Sequence, residues 1–81
     1  MTRYQMVECR WVDAVEGQPS DWVEHGKVRN KPMPSRTVGY LIAEDSHAVT
    51  IAALVNEDHV ALTLTIPRGM VTSLHYLKRR N

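Results

Sequence analysis

Residues 38–77 carry the clearest structural pattern in the chain: VGYLIAEDSHAVTIAALVNEDHVALTLTIPRGMVTSLHYL. Short apolar runs alternate with the polar segments EDSH and NEDH, and PRG interrupts the last run. Runs of this length between turn residues predict antiparallel strands at residues 37–44, 48–55, 60–66 and 70–76. A tight corner is expected at Pro67-Arg68-Gly69, because proline cannot donate to a ladder and glycine permits a sharp turn.

The segment before this stretch predicts one further strand. Residues 4–14 alternate, so that Val7, Cys9 and Trp11 share one face, as in a half-buried strand. Residues 15–36 lose this period and predict an irregular insertion. Within it, Ser20 or Asp21 could cap a short helix that ends at Gly26 and packs through residues 22–23 on the sheet.

Five short strands predict a single small β domain that spans residues 1–81, with residues 78–81 as a frayed basic tail. We expect a mainly β fold: a five-stranded, strongly bent antiparallel barrel of the SH3-like or Sm-like kind, since closure removes exposed edges. The alternative is an open antiparallel sheet with residues 20–30 packed on one face.

Several strands are apolar on both faces, which predicts a homo-oligomer. A barrel strand needs one apolar face, so apolar residues in the opposite register require another cover, and exposed apolar patches commonly mark interfaces. We assign Val12, Leu41, Leu54 and Met70 to a subunit interface. The identity of any further protein partner stays open.

The composition is that of an ordinary globular domain, with 43% hydrophobic and 23% charged residues. The formal net charge of +1 excludes a strong global field, so polyanion binding would need a local cluster. The single cysteine, Cys9, cannot form an internal disulfide, which favours the cytoplasm. We expect no secretion signal and no membrane span, because no apolar run approaches about 18 residues.

Four histidines invite a metal or acid–base interpretation, but their spacing does not favour it. Short paired spacings such as HxH or HxxxH are missing, and zinc sites usually need three or four ligands. A hydrolase would have to bring His47 and His59 together from successive acidic turns, and acidic turns are usually solvated. We therefore expect no enzyme, no metal and no cofactor, and we interpret Cys9 as a small core residue.

Basic residues predict one alternative partner, nucleic acid. The candidates form a local rim that an oligomer would multiply around its axis, and they are Arg36, Arg68, Lys78, Arg79 and Arg80. The competing interpretation of the last three is a solvated tail that aids solubility.

Most of the chain resembles a group of small uncharacterised proteins encoded by tailed bacteriophages and prophages. The stretches that carry the resemblance are WVDA at 11–14, the tryptophan at 22, VGYLI at 38–42 before an acidic turn, and IPRG at 66–69. The resemblance implies a phage source and the cytoplasm of a bacterial host. Ile66, Arg68 and Gly69 are also similar to the second motif of Sm-like proteins, which implies a ring-shaped oligomer. The first Sm motif has no counterpart between Gly39 and Val55.

Together these patterns favour a non-enzymatic, oligomeric binding or assembly module of phage origin. The alternative is a nucleic-acid-binding, Sm-like ring that uses Arg68 and the basic tail.

Overall fold

Five antiparallel strands form one open sheet. The structure is a computed structural model that describes residues 4–14, 22, 24–27 and 31–78. The strands are β1 (Met6–Asp13), β2 (Met33–Glu44), β3 (Ala48–Val55), β4 (Val60–Pro67) and β5 (Val71–Tyr76), and their spatial order is β4-β3-β2-β1-β5. The predicted mainly β class is confirmed. Closure into a barrel is not observed, because β4 and β5 lie at opposite edges of the sheet.

The predicted strand positions agree with the structure except at the start of β2. This strand begins at Met33, four residues before the predicted residue 37, so the end of the predicted insertion is strand. It is extended there because β1 continues to Asp13 and supplies a partner for every residue, with Asp13 opposite Met33 and Val12 opposite Pro34. Prolines in this segment conceal its strand character in the sequence, because proline is rare within strands. It is tolerated at the first residues of a strand and on edge strands.

One face of the sheet carries the core. Its fully buried residues are Val7, Cys9, Val49, Ile51 and Ile66, and the half-buried residues packed against them are Trp11, Leu41, Met70, Val71 and Leu74. The predicted inward face of the first strand is therefore confirmed. Trp11 also donates from its indole nitrogen to the Thr37 hydroxyl at 3.0 Å, which satisfies its polar atom at the end of the core. We call the opposite side of the sheet the outer face.

Register with β1 determines which of the two apolar faces of β2 belongs to the core. Val7 pairs with Gly39, and directly opposed residues share a face, so Gly39 and Leu41 belong to the core side. Val38, on the other register, is exposed. Because both faces of this strand are apolar, only its pairing with β1 decides which one is covered.

The face of β4 that carries the alternating apolar residues is buried at one end of the strand and exposed at the other. Ile66 is 1% exposed, whereas Leu64 is 40% and Leu62 is 72% exposed. Pairing between β2 and β3 stops at Tyr40 opposite Ala52, although β2 continues to Met33, so the rest of the β3–β4 hairpin separates from β2. We call residues 53–62 the arm.

The insertion contributes little to the described fold. A 3₁₀ turn spans His25–Lys27, and Trp22 is fully exposed, so its predicted docking on the sheet is not observed. The other residues of the predicted helix, Ser20, Asp21 and Val23, lie outside the described residues. Within the described ranges, no helix is long and apolar enough to cross a membrane.

Candidate functional site

The predicted corner after β4 forms a polar rim. The strand ends at Pro67 and a 3₁₀ turn, Arg68–Met70, leads into β5. The backbone N–H of Arg68 donates to the carbonyl of His47 at 2.8 Å, and its guanidinium donates to Glu44 at 3.3 Å. Arg68, predicted to contact nucleic acid, is thus anchored to the end of β2.

Tyr76 completes this rim from β5. Its hydroxyl donates to the second oxygen of the Glu44 carboxylate at 2.8 Å, which brings the end of β5 to the end of β2. The hydrogen bond to Glu44 raises the pKa of Tyr76, with partial desolvation adding to the effect. One carboxylate therefore links three elements that are not adjacent in the sheet, and from these contacts we infer that the sheet curls so that the ends of β2 and β5 approach each other.

Of the predicted basic residues that the structure describes, Arg36 does not share a rim with Arg68. Arg36 lies on the outer face of β2, eight residues from Glu44, which is up to about 26 Å along a strand. Lys78 is exposed just after β5, and Arg79 and Arg80 lie outside the described residues. Arg36 and Arg68 therefore belong to different surfaces.

Arg36 instead faces a basic residue that the sequence did not single out. Arg10 of β1 is its directly opposed partner on the outer face. Glu8 accepts a hydrogen bond from Arg10 at 2.9 Å, and its other oxygen lies 4.0 Å from Arg36. This hydrogen bond, with the charges of Arg10, Arg36 and His75, lowers the pKa of Glu8. The alternation of β1 places Arg10 outward, but its partner becomes visible only once the register is known.

The four predicted interface residues lie in three environments. Leu41 and Met70 pack against the core, and Val12 is half-buried beside Pro34 on the outer face. Leu54 is 56% exposed in the arm. The arm also exposes Val60 and Leu62. Their exposure follows from the position of the hairpin, and alternation along the strand alone does not predict it.

The two turns proposed for hydrolysis lie at opposite ends of β3. His47 precedes this eight-residue strand and His59 lies in the turn beyond it, so they are separated by about 26 Å of extended chain. His47 and His59 therefore do not lie together, as a hydrolase that uses both turns would require. Among the described residues, no group of three histidine, cysteine or acidic side chains is arranged to hold a metal.

Both turns have a structural explanation for their polar residues. The Asp45 carboxylate accepts from the backbone N–H groups of His47 and Ala48, at 2.7 and 2.9 Å. Asn56 makes the equivalent pair of bonds with Asp58 and His59, at 2.9 and 2.8 Å. Side-chain oxygens that satisfy free backbone donors stabilise hairpin turns.

Cys9 is fully buried in the core, and desolvation raises the pKa of its thiol. A thiol in this environment holds its proton, which is opposite to the shift that activates a nucleophile. Its interpretation as a small core residue is confirmed by its position among the buried aliphatic side chains.

Comparison with known proteins adds no template for these surfaces. No protein-family model matches the chain, and neither the curated proteins nor the solved structures compared with it include a match. The resemblances to phage proteins and to Sm-like proteins therefore stay predictions. A function for the chain has to be inferred from the contacts and exposed surfaces of its own residues.

Proposed function

We propose that the protein is a non-enzymatic assembly module that works as a homo-oligomer, with the arm and the free edge of β4 as its subunit interface. The observation that carries this proposal is the exposure of Leu54 and Leu62, at 56% and 72%, on a hairpin that has left the support of β2. An isolated two-stranded hairpin is at best marginally stable in water, so the arm needs a cover.

The edge of β4 supports the same interface. Edge strands present unpaired backbone groups, which proteins usually protect with charges or bulges. No charged residue occurs between Val60 and Ile66, and the β3–β4 ladder keeps one register, although the Ala53–Leu62 pair is missing from it. The edge strand β5 differs, because its ladder with β1 shifts register beside Trp11 and it carries His75. Of the two edge strands, β4 is therefore better suited to pair with a strand of another subunit.

The free energy gained by burying the leucines of the arm does not by itself offset the entropic cost of association. Leu54 pairs with Ala61, so Leu54 and Leu62 lie on opposite faces of the arm. Full burial of a leucine contributes about 1.5 to 3 kcal/mol, so an interface that covers both leucines of each of two subunits gains roughly 4 to 8 kcal/mol. Lost translational and rotational freedom costs roughly 4 to 15 kcal/mol. Side-chain burial alone would give weak association, and backbone pairing along β4 supplies the remaining stabilisation and the orientation.

The backbone of Leu62 is consistent with an interface at this point. Leu62 has φ of 54°, in the left-handed region that costs a bulky L-residue about 1 to 2 kcal/mol. Strained residues persist where surrounding contacts over-determine them, and they cluster at sites of contact or function. In the assembly, contacts from the neighbouring subunit offset this cost.

The finer architecture belongs to the same proposal. We propose that the sheet is an opened form of an SH3-like or Sm-like barrel, whose remaining gap lies between β4 and β5. The support is the curl produced by Glu44, Arg68 and Tyr76, together with the 3₁₀ turn between the last two strands. Phage origin and a cytoplasmic location remain predictions from the sequence.

Size-exclusion chromatography with light scattering tests the interface. At tens of micromolar we expect the wild-type chain to elute as an oligomer and the Leu54→Lys/Leu62→Lys variant to elute as a single chain. Met33→Lys is the matched control, since Met33 is 54% exposed but pairs with Asp13 of β1 and belongs neither to the arm nor to β4. This variant should remain oligomeric.

Circular dichroism establishes that each variant retains its strands, and the two single arm variants replace the double variant if it does not fold. A wild-type chain that elutes as one subunit at this concentration would contradict the proposal. Equal dissociation by Met33→Lys would also contradict it, because the effect would then follow from added charge anywhere on the surface.

A further inference from the structure

We propose that the paired guanidinium groups of Arg10 and Arg36, with the groove beside them, bind a phosphate group carried by a nucleotide or a single nucleic-acid strand. The site lies on the outer face of β1 and β2, outside the arm, so it does not depend on the proposed assembly. Its basis is an unusual cross-strand pair: two arginines stand directly opposite each other.

The register of three strands defines the site. Arg10 pairs with Arg36 of β2 on one side and with Ser73 of β5 on the other. In the next row along the same face, Glu8 pairs with His75. Opposed side chains in an antiparallel ladder have Cβ atoms about 4.5 to 5.5 Å apart, so both guanidinium groups can reach one ligand.

Among the residues that the structure describes, the charges at this site are not balanced. Like charges directly opposite each other destabilise a sheet, and one described carboxylate, that of Glu8, serves both arginines. Arg10 donates its Nε hydrogen to Glu8 at 2.9 Å, whereas Arg36 lies 4.0 Å away, beyond hydrogen-bond distance. One positive charge and most of the guanidinium donors thus remain for an anion, and both arginine side chains are more than half exposed.

A groove provides room for the ligand next to these donors. It has a volume of about 380 Å³ and is bordered by both arginines and by the apolar pair Val12 and Pro34. The hydroxyl of Thr72, on its β5 side, donates to the carbonyl of Arg10 and fixes the backbone there. The groove therefore offers cationic donors on one side and an apolar surface on the other.

Phosphate fits this donor set better than a further carboxylate. A carboxylate satisfies one guanidinium fork, as Glu8 does in part, whereas a phosphate group offers several oxygens to two planar forks at once. The apolar border suits the sugar and base that accompany a nucleotide phosphate. Both features together favour a nucleotide phosphate over an acidic peptide.

Fluorescence anisotropy of the full chain with a labelled single-stranded oligothymidylate tests the site. We expect salt-sensitive binding that Arg36→Gln weakens at least about tenfold, the loss typical of a charge-assisted hydrogen bond. Arg36→Lys keeps the charge but loses the fork, so its affinity should be intermediate. Lys27→Gln is the charge-matched control, because Lys27 lies in the insertion and pairs with Glu24, and it should leave affinity unchanged.

Competition separates the sources of phosphate. Displacement of the oligothymidylate by thymidine monophosphate supports a mononucleotide site, and binding of the strand alone supports a nucleic-acid site. Absence of binding to both probes at low salt overturns the proposal. Equal losses in Arg36→Gln and Lys27→Gln overturn it in favour of general charge attraction, and equally effective displacement by oligoglutamate overturns it in favour of an acidic peptide.

Discussion

The β4 strand passes through two very different environments. Toward Pro67 it lies against the packed part of the molecule, where β1, β2 and β3 bury a small aliphatic core. Toward Val60 it belongs to the arm, where the same apolar alternation meets solvent. The contrast shows that patterning specifies which side of a strand seeks burial, whereas the extent of pairing with the neighbouring strands decides whether burial is achieved within one chain.

The largest expected effect comes from comparing two residues on one face of β4. Ile66→Ala should lower the free energy of unfolding by about 2 to 5 kcal/mol, because it leaves a cavity in a fully buried site. Leu62→Ala, at a position in the arm that is 72% exposed, should cost about 1 kcal/mol or less in the isolated chain. Denaturant unfolding at low protein concentration measures both. Equal costs there would remove the distinction between the packed part and the arm.

A glycine pair tests how tightly the packed part is built. A Cβ atom at Gly39 would lie 2.7 Å from the backbone oxygen of Ala52 and 2.8 Å from Ile51 Cγ2, so Gly39→Ala should cost about 1 to 3 kcal/mol. Gly69→Ala is the control, because nothing lies within 4 Å of the added atom, and it should change stability by about 0.5 kcal/mol or less. A neutral Gly39→Ala would mean that β2 and β3 can separate locally without loss.

The smallest expected effect concerns the two turns that flank β3. Backbone N–H groups of His47 and Ala48 lower the pKa of Asp45, so its contribution to stability is present above the ordinary value of 3.8 and is lost as pH falls through the lowered value. Asp45→Asn keeps the accepting oxygen, as Asn56 does at the other end of the strand. This variant should fold normally with a weaker loss of stability in acid.

Thermal unfolding followed from neutral pH to about pH 2.5 measures the difference between Asp45→Asn and the wild-type chain. Asn56→Asp, the reciprocal variant, should acquire an acid-dependent loss of stability at the turn within the arm. Identical pH profiles for Asp45→Asn and the wild-type chain would assign the acid sensitivity to other carboxylates.

Local sequence patterns were sufficient for the strands and for the corner after β4. Period-two alternation and turn residues located all five strands, and proline with glycine located the bend at residues 67–69. The inward face of β1 followed from the same alternation, because Val7, Cys9 and Trp11 contrast with charged neighbours. These features depend on residues close together in the chain.

Features that depend on pairing between distant residues were not predictable. The faces of β2 differ little in polarity, so the choice of Gly39 and Leu41 as core residues depends on their register with β1. The opposition of Arg10 and Arg36 depends on the same register across 25 intervening positions, and it was further hidden because β2 starts in a proline-containing segment. The exposure of Leu62 depends on where β2 stops pairing with β3.

The burial of Cys9 has a practical consequence. Its thiol lies at 0% exposure on β1, which pairs with β2 on one side and β5 on the other. A thiol reagent can therefore reach it only when this part of the sheet opens, whereas fraying of the arm leaves it shielded. Since the chain contains no other cysteine, the rate of alkylation measures the opening equilibrium of the packed part without any engineered label.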